Sequence, residues 1–374
     1  KSMLMNPKVS VIIPVYNVAS YLRRSLDCVK NQTLYDIEII CINDYSTDKS
    51  LEILREYEKS DKRFKIIHLE QNYGAAYARN KGLELATGEY LGFIDPDDAI
   101  DLNFYEELYK RAKENDYDVV KSERKVINTD GTVKESNLSE MAETHRYFFA
   151  FEWTTGIYKK KLVDENNIRF HDLTVGEDTL FLNEVMMASK NLSVVKDVFY
   201  YYYKRNGSLL DYSVNSLKKA NDLISSVKIQ ITNINNSELF DENKVYYNKI
   251  LFRKMQIILI KFFLSNNNRV KYIYTKAIID VFHMHKDPEY FAKHFKLRRL
   301  LKYIISKDSK GLFNKLKSYD CYSDITGNNF WQNLFSIKNK YKKRHKYKII
   351  TVLGVKFKLR MTLKNVRQKE LRNE

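Results

Sequence analysis

The sequence predicts an α/β fold built on a mainly parallel sheet, and three observations lead to this prediction. Over roughly the first hundred residues, short apolar runs rich in β-branched residues alternate with segments of helical periodicity. The apolar runs are nearly continuous, which is typical of strands covered on both faces. Polar and acidic residues follow the ends of three of these runs. Open α/β sheets bind ligands at the carboxyl ends of their strands, so these groups are expected to converge on one crevice.

The predicted elements follow one another closely along the chain. Apolar periodicity places Leu22, Leu26 and Val29 on one face of the first helix, and Ser46 or Thr47 is expected to cap the second. The predicted strands cover residues 8–13, 38–42, 64–69, 89–94, 118–121 and 194–203, and helices are predicted at 74–86 and 101–115. A hairpin turn is predicted at 128–131.

The composition changes near residue 213, where strand–helix alternation gives way to helical periodicity rich in Lys, Asn, Ile and Leu. We therefore predict an α/β domain over 1–215, a mostly helical domain over 216–337 and a basic amphipathic tail over 338–374. The formal net charge of the chain is +17. The residues after Trp331 include 14 basic and two acidic side chains and so carry +12 of that charge.

The basic tail indicates a polyanionic partner, either an anionic membrane surface or nucleic acid. Around residue 357, basic residues alternate with Val355, Phe357 and Leu359, which gives a strand one basic and one apolar face. This pattern favours docking at a lipid surface over nucleic acid. The three cysteines are far apart, no signal peptide is visible, and no apolar stretch is long enough to span a bilayer. We expect a cytoplasmic protein held peripherally at the inner face of the membrane.

The predicted strand at 89–94 ends in an acidic stretch, Asp95-Pro96-Asp97-Asp98. Carboxylates this close together repel one another unless a cation lies among them, and oxygen ligands suit Mg²⁺ or Mn²⁺. Asp97 or Asp98 could instead cap the following helix. The sequence therefore indicates a divalent-metal site at the strand end, with a helix cap as the alternative.

Four segments in order, at 9–17, 43–48, 72–82 and 95–98, resemble the large inverting glycosyltransferase family 2. The resemblance covers about residues 8–205 and implies the GT-A fold, with 1–215 as the nucleotide-sugar-binding and catalytic domain. It also implies a nucleotide-sugar donor and a divalent metal. It implies that the chain transfers a sugar, from a UDP-sugar in most members, to a hydroxyl of a glycan or lipid-linked acceptor in the synthesis of a bacterial surface polysaccharide such as capsule or lipooligosaccharide.

Carried onto this sequence, the resemblance assigns donor-binding roles to five residues. Pro14 and Tyr16 would line the base pocket together with Asn17, Asp44 would bind the uracil edge, and Arg79 would lie near the diphosphate. A carboxylate accepts the uracil N–H, and a guanidinium neutralises charge on the leaving group. The family usually has two acids and a glycine at 43–45, so the base pocket is expected to differ here.

The resemblance also assigns the chemistry. Asp95, Asp97 and Asp98 would form the metal and diphosphate site, and Asp178, beside Glu177, would be the general base that deprotonates the acceptor hydroxyl. Plain stabilisation of a helix N-terminus is the alternative for Glu177 and Asp178.

Two further residues are ambiguous in the sequence. His171 could reach the metal or the diphosphate, although a lone histidine is more often structural. Trp153 could stack on a sugar or be buried.

Other functional classes fit less well. A sugar-nucleotide pyrophosphorylase would carry a glycine-rich loop with a nearby arginine after the first strand, and a dinucleotide-dependent oxidoreductase a glycine fingerprint at the same turn. The segment at 14–17 is Pro-Val-Tyr-Asn instead. A nucleotide-sugar-binding or nucleic-acid-binding protein without transferase activity is the remaining alternative, and a nucleic-acid binder leaves the acidic crevice unexplained.

Overall fold

The structure is a computed structural model, which describes residues 7–136, 153–205, 215–237, 244–286, 298–319, 335–342, 345–352 and 355–361. The chain divides into two compact units. The first comprises Lys1–Ser213 and Ser225–Ile250, and the second comprises Val214–Ile224 and Leu251–Glu374.

The first unit is built on a mixed sheet flanked by helices. Its strands are β1 Val9–Val15, β2 Ile37–Asn43, β3 Phe64–His68, β4 Tyr90–Phe93, β5 Ala99–Ile100, β6 Val119–Ile127, β7 Val133–Ser136, β8 Gly156–Lys159 and β9 Leu192–Tyr203. Its helices are α1 Ala19–Lys30, α2 Ser50–Ser60, α3 Ala75–Leu85, α4 Phe104–Glu114, α5 Lys160–Glu165 and α6 Glu177–Ala188. Helix α7, Leu217–Asn236, and helix α8, Lys244–Leu264, each contribute residues to both units.

The nine strands lie in the order β3-β2-β1-β4-β8-β6-β9-β5, with β7 paired to β6, among the residues that the structure describes. Strands β1 to β4 pair in parallel, β8 runs antiparallel to both of its neighbours, and β6 and β9 are parallel. The predicted mainly parallel α/β sheet is confirmed. Because β2, β1 and β4 are adjacent and parallel, their carboxyl ends share one edge.

The sheet is covered on both faces, as the continuous apolar runs predict. Along β1, Val11 and Ile13 belong to one hydrophobic cluster, whereas Ile12 belongs to the other. Helices α1, α2 and α4 pack in the first cluster, and α3 and α6 pack in the second. The core therefore has two layers, one on each side of the sheet.

A buried glutamate fixes the sheet near the amino end of β4. The Glu38 Oε1 atom accepts hydrogen bonds from Ser10 Oγ at 2.5 Å and from the backbone N–H groups of Thr87 and Gly88 at 2.6 and 3.2 Å. Its Oε2 atom accepts from Lys65 Nζ at 2.6 Å. Burial alone would raise the pKa of Glu38, but these donors stabilise the carboxylate and hold the pKa below its ordinary value.

Two predicted helix starts are wrong. Helix α2 begins at Ser50, after Lys49, and neither Ser46 nor Thr47 caps it. Helix α4 begins at Phe104 instead of near Asp101. The Asp101 carboxylate accepts from the backbone N–H of Phe199 and from Tyr201 Oη, both at 2.8 Å, so this residue joins the short strand β5 to β9. Ser46 and Asp101 thus accept hydrogen bonds from distant segments and do not cap a helix.

The predicted hairpin turn at 128–131 is confirmed, since it joins the antiparallel strands β6 and β7. Gly131 has a φ of +79° there. The predicted strand at 118–121 is longer than expected and runs over the whole of β6. The sequence pattern gave no indication of β8.

The second unit contains helices and a small sheet. Its further helices are α9 Asn268–His283, α10 Arg298–Ile305 and α11 Ser309–Lys317, and its strands are β10 Phe335–Lys342, β11 His345–Val352 and β12 Val355–Met361. The three strands form an antiparallel sheet in the order β10-β11-β12. The strand predicted around residue 357 is confirmed as β12, whereas β10 and β11 were not predicted. In the part of the chain that the structure describes, none of the helices has the length and apolar character needed to cross a membrane.

Candidate active site

The loops that leave β1 and β2 are tied together at the carboxyl edge of the sheet. Asn17 follows β1 with a φ of +49°. Its Oδ1 atom accepts from the backbone N–H groups of Thr47 and Asp48 at 2.8 and 3.3 Å, and its own N–H donates to Ser46 Oγ at 3.0 Å. Asn17 therefore shapes the pocket by holding two loops, a role that its sequence position alone did not reveal.

Asp44 is almost fully buried directly after β2. Its two carboxylate oxygens accept from the backbone N–H groups of Tyr73 and Gly74 at 2.7 and 2.8 Å. Gly74 has a φ of +93°, which favours glycine, and it precedes the first residue of α3. Asp44 thus holds the loop that begins α3, and each of its oxygens already has one backbone donor.

Four tyrosines are exposed around this part of the crevice edge: Tyr16, Tyr45, Tyr73 and Tyr77. The ring of Tyr45 stacks on His68 with 6.0 Å between centroids and 9° between planes. The rings of Tyr73 and Tyr77 stack with 4.4 Å between centroids. Pro14, in contrast, is buried in β1. The sequence argument assigned a base contact only to Tyr16 among these tyrosines, and spacing could not have grouped residues from three loops and the start of α3.

Arg79 lies buried in α3 between two acidic side chains. Its guanidinium is 2.9 Å from Glu177 Oε1 and 3.4 Å from Asp95 Oδ1. It also lies over the rings of Trp153 and Phe170, with 4.4 and 5.4 Å to the centroids. Its Nε atom is buried without a hydrogen-bond partner among the described residues. Arg79 is therefore not on a solvated helix face, and Trp153 is buried beneath it.

The residue after Arg79 fixes a second segment of the site. Asn80 donates from Nδ2 to the Phe170 carbonyl and accepts at Oδ1 from the Phe170 N–H, both at 2.8 Å. The ring of Phe170 stacks on Phe181 of α6 with 4.2 Å between centroids. The segment leading to α6 is thus anchored to α3.

The carboxylates after β4 have separate environments. Burial raises the pKa of Asp95 to about 6, an effect that Asp97 and Asp178 increase and Arg79 partly offsets. Burial and the charges of Asp95 and Asp97 raise the pKa of Asp98 to about 8. Asp98 accepts from Tyr200 Oη at 2.7 Å and from the Tyr203 N–H at 2.9 Å. Burial is the main cause of both raised pKa values, and repulsion between neighbouring carboxylates adds to it.

Two arginines that the sequence argument did not single out also contact this group. Arg205 Nε lies 2.9 Å from Asp97 Oδ2. Arg24 donates to the Asp97 carbonyl, and its guanidinium lies 3.6 Å from the centroid of the Tyr203 ring. Both arginines are distant in sequence from the acids, so only the fold could bring them together.

Glu177 and Asp178 open helix α6. Gly176, with a φ of +88°, precedes the helix, and its carbonyl accepts from Ser226 Oγ at 2.8 Å. Glu177 is paired with Arg79, and burial raises the pKa of Glu177. The described hydrogen bonds of Asp178 fall on Oδ1, from Thr179, so Oδ2 is available to accept a proton. Of the two carboxylates, Glu177 is therefore engaged by a buried arginine, whereas Asp178 is hydrogen-bonded only within its own helix turn among the described contacts.

We name five carboxylates the acid cluster: Asp95, Asp97, Asp98, Glu177 and Asp178. Three guanidinium groups, those of Arg24, Arg79 and Arg205, lie against it. With all eight groups ionised the net charge would be −2, and the raised pKa of Asp98 reduces this excess at neutral pH. Among the described residues, however, no three Asp, Glu, His or Cys side chains are already arranged to hold a metal ion.

His171 lies away from this arrangement of charges. Its Nε2 atom is 2.8 Å from Glu184 Oε1. Both side chains line an open cavity of about 590 Å³ whose walls also include residues 166–170, Met187, Ala188 and Asn233. The structure therefore does not bring His171 together with Asp97 and Asp98 as a set of metal ligands.

Comparison with known proteins gives the family. The glycosyl transferase family 2 model matches residues 10–174. The glycosyltransferase GlyG of Streptococcus pneumoniae is 30% identical over 224 residues, which cover 55% of this chain and 74% of GlyG. The chain belongs to glycosyl transferase family 2.

Two other comparisons extend beyond the family match. The poly(ribitol-phosphate) β-glucosyltransferase of Bacillus spizizenii is 30% identical over 318 residues, covering 82% of this chain. This chain spans 49% of that enzyme and less than two thirds of several other curated relatives. The crystal structure of residues 1–349 of TarS from S. aureus, in complex with UDP-GlcNAc, superposes with a TM-score of 0.69 at 23% identity, covering 94% of this chain and 99% of that one. This likeness confirms the GT-A fold.

Proposed function

We propose that this protein is a metal-dependent inverting glycosyltransferase that moves a sugar from a nucleotide-sugar, most simply a UDP-sugar, to a hydroxyl of a glycan or lipid-linked acceptor in surface polysaccharide synthesis. The observation that carries the proposal is the acid cluster, which meets Arg79 at the carboxyl ends of the parallel strands. Membership of glycosyl transferase family 2 supports the reaction type. The UDP-GlcNAc in TarS and the poly(ribitol-phosphate) acceptor in the name of the Bacillus enzyme support the donor and the acceptor class.

The donor would lie along the carboxyl edge of the sheet. The exposed tyrosines offer ring faces to a base beside Pro14, while Asn17 and Asp44 hold the surrounding loops in place. The diphosphate would lie toward Arg79 and the acid cluster. Arg79 is positively charged, and its buried Nε atom has no hydrogen-bond partner among the described residues, so this N–H is the donor that remains for a phosphate oxygen once the diphosphate enters the site.

A divalent cation, Mn²⁺ or Mg²⁺, fits the charge of the acid cluster. Asp97 and Asp95 would hold it, with Asp98 behind them. When bound, the cation would neutralise charge that develops on the diphosphate as it leaves. Arg205 is paired with Asp97 Oδ2, so Asp97 would ligate the cation through Oδ1 while this ion pair is kept.

Transfer would then proceed by a direct displacement at the anomeric carbon. Asp178 Oδ2 takes the proton of the acceptor hydroxyl as the oxygen attacks, and the bond from the sugar to the diphosphate breaks on the opposite side. The linkage formed has the inverted configuration. Arg79 holds Glu177 and thereby keeps that side chain from competing for the acceptor proton.

The decisive test changes Asp178 to Asn, which keeps the size of the side chain and removes the proton acceptor. We expect the transfer rate to fall by roughly 10²- to 10⁴-fold while donor affinity, measured by calorimetry, stays nearly unchanged. Asp172→Asn is the matched control, since it makes the same chemical change at an exposed position six residues earlier. Turnover should need Mn²⁺ or Mg²⁺ and stop in EDTA.

Three results would contradict the proposal. These are near-normal turnover in the Asp178 variant, a product that NMR shows to retain the donor's anomeric configuration, and metal-independent transfer. A thermal-shift screen with UDP-, GDP- and dTDP-sugars, with and without Mn²⁺, identifies the nucleotide. Asp97→Asn should remove the metal-dependent part of the shift and leave the fold intact.

We also propose that the protein works at the inner face of the cytoplasmic membrane, held there peripherally by its basic carboxyl-terminal region. The +12 charge after Trp331 supports this location. Nucleic acid is the less favoured partner.

A further inference from the structure

The register of the small sheet sorts its residues into two chemically distinct faces. Residues paired across antiparallel strands share a face, and successive residues alternate between faces. Pairing of Ile337 with Ile350, and of Ile350 with Phe357, therefore defines one face, which we name the apolar face. Pairing of Lys340 with Tyr347, and of Tyr347 with Arg360, defines the opposite one, which we name the cationic face.

The cationic face carries its charges in two rows. One row lies on β10 and the other on β12, and together they comprise Lys338, Lys340, Lys342, Lys356, Lys358 and Arg360. Neighbouring strands lie about 4.8 Å apart and residues on one face about 6.8 Å apart along a strand. The two rows are therefore separated by about 10 Å, with the central strand between them.

The central strand adds no lysine or arginine to this face. It contributes Tyr347, Ile349 and Thr351 between the two rows, with His345 at one end. None of the three strands contains an Asp or a Glu residue. The sheet itself therefore supplies no acidic residue to the six basic positions, and the charge of this face is complementary to an anionic partner.

Only one of the two faces suits burial within a protein. The apolar face includes Ile337, Ile350, Val352, Phe357 and Leu359, the residue types that a sheet places against a core, and its two lysines, Lys346 and Lys348, lie together near one end of β11. A face with six Lys and Arg residues and no acid is almost never covered by protein, because unpaired charges are costly to bury. The cationic face is the one suited to meet an external partner.

We propose that the cationic face is the surface through which this protein docks on an anionic phospholipid bilayer. This inference rests on the proposed membrane location and assigns it to one face of one sheet. A planar array of headgroup phosphates can meet both rows at once. Tyrosine is enriched at membrane–water interfaces, so Tyr347 and Ile349 between the rows fit a lipid boundary better than the hydrated groove of a soluble polyanion.

The test compares the removal of two charges from different faces of the same sheet. Each Lys or Arg near an anionic leaflet strengthens binding about fivefold, so removing two should weaken binding about 30-fold. The variants are K338Q/K340Q in one row and K356Q/K358Q in the other. The matched control is K346Q/K348Q, which removes the same charge from β11 on the apolar face.

Full-length protein is mixed with phosphatidylcholine vesicles, with and without phosphatidylglycerol, and the bound fraction is measured by flotation. Wild-type protein should bind only the phosphatidylglycerol vesicles and should dissociate as salt rises. Both row variants should lose about 30-fold in binding, the apolar-face control less than about fivefold, and K338R/K340R almost nothing. Circular dichroism melts show whether each variant keeps its fold.

Equal losses in the row variants and in the apolar-face control would overturn the proposal, because total charge and not the face would then decide binding. Tighter binding to a fluorescent polyphosphate or a DNA oligonucleotide than to the anionic vesicles would also overturn it. Sugar transfer to a short water-soluble acceptor is measured in parallel. Vesicle binding is measured without any sugar transfer, so it tests the docking proposal even if the protein proves not to be a transferase.

Discussion

The role of Arg79 can be separated into a structural and a functional part. Arg79→Met removes the charge that lies between Glu177 and Asp95 and leaves these two partly buried carboxylates, 13% and 29% exposed, without their cation. Removing one partner of a buried pair costs about 3–5 kcal/mol in the free energy of unfolding. Because burial already raises the pKa of Asp95 to about 6, the protein can take up a proton, which places the cost near the lower end. We expect a loss of about 3 kcal/mol.

For a domain of this size, 1 kcal/mol corresponds to about 2–4 °C, so the melting temperature should fall by roughly 6–12 °C at neutral pH. The loss should be smaller at pH 5, where both acids can be protonated in the variant. Adding Glu177→Gln to Arg79→Met removes one of the stranded charges and should recover about half of the lost stability. Glycosyl transfer should not recover in this double variant, since the guanidinium that we propose to contact the diphosphate is still missing.

The control is Arg55→Met. Arg55 pairs with Glu58 at 2.6 Å, a distance similar to that of the Arg79–Glu177 pair, but both partners are largely exposed. An exposed pair contributes less than about 1 kcal/mol. The measurements are thermal and urea unfolding together with a transfer assay. The reasoning is refuted if the Arg79 variant is no less stable than the Arg55 variant, or if the double variant regains full activity.

Two further predictions concern residues that hold the crevice in shape. Asp44→Asn should lower the free energy of unfolding by about 1–3 kcal/mol, because the new amide N–H₂ would face the backbone N–H of Tyr73 or Gly74. Calorimetry should also show weaker nucleotide binding by this variant. The neighbouring control, Tyr45→Phe, should not reduce stability in the same urea titration. Glu38→Gln should lower stability at neutral pH by about 1–3 kcal/mol. Because folding lowers the pKa of Glu38, its carboxylate stabilises the fold fully above the ordinary pKa of 4.5, and this contribution is lost as pH falls through the lowered pKa. Urea titrations from pH 7 to 3 should therefore show that the stability of the variant depends less on pH than that of the wild type. Parallel acid profiles for wild type and variant would contradict the assignment for Glu38.

The sequence predicted the sheet and the location of the crevice because both depend on local signals. Runs such as that of β1 are continuous and apolar, and the acids after β4 are consecutive, so neither needs knowledge of a distant residue. Asn17 and Asp44 have roles that local sequence signals do not predict. Both lie at the predicted edge, but their side chains bind the backbone of other loops, and no spacing in the sequence encodes that choice.

The arginines make the same point for charge. Arg24 and Arg205 lie about 70 and 110 positions from Asp97, and only the packing of α1 and the end of β9 brings them to it. Their presence turns a row of acids into a nearly balanced cluster. Counting acidic residues in the sequence therefore overestimates the number of carboxylates that can bind a metal. Asp98, for example, is buried and accepts hydrogen bonds from Tyr200 Oη and the Tyr203 N–H.

The hydrogen bond from Ser226 Oγ to the Gly176 carbonyl has a practical consequence for where the protein can be truncated. Composition places a boundary near residue 215, yet the helix that starts at Leu217 supplies the hydroxyl that holds the turn before Glu177. Gln230 donates to Ser226 Oγ at 2.9 Å, and Asn233 reaches Asn183 at 3.4 Å, so the attachment continues for two turns. An expression fragment ending at 215 would keep every proposed catalytic residue but lose this brace. A fragment meant to carry the chemistry, or a chimera that exchanges acceptor specificity, should therefore run to about residue 250.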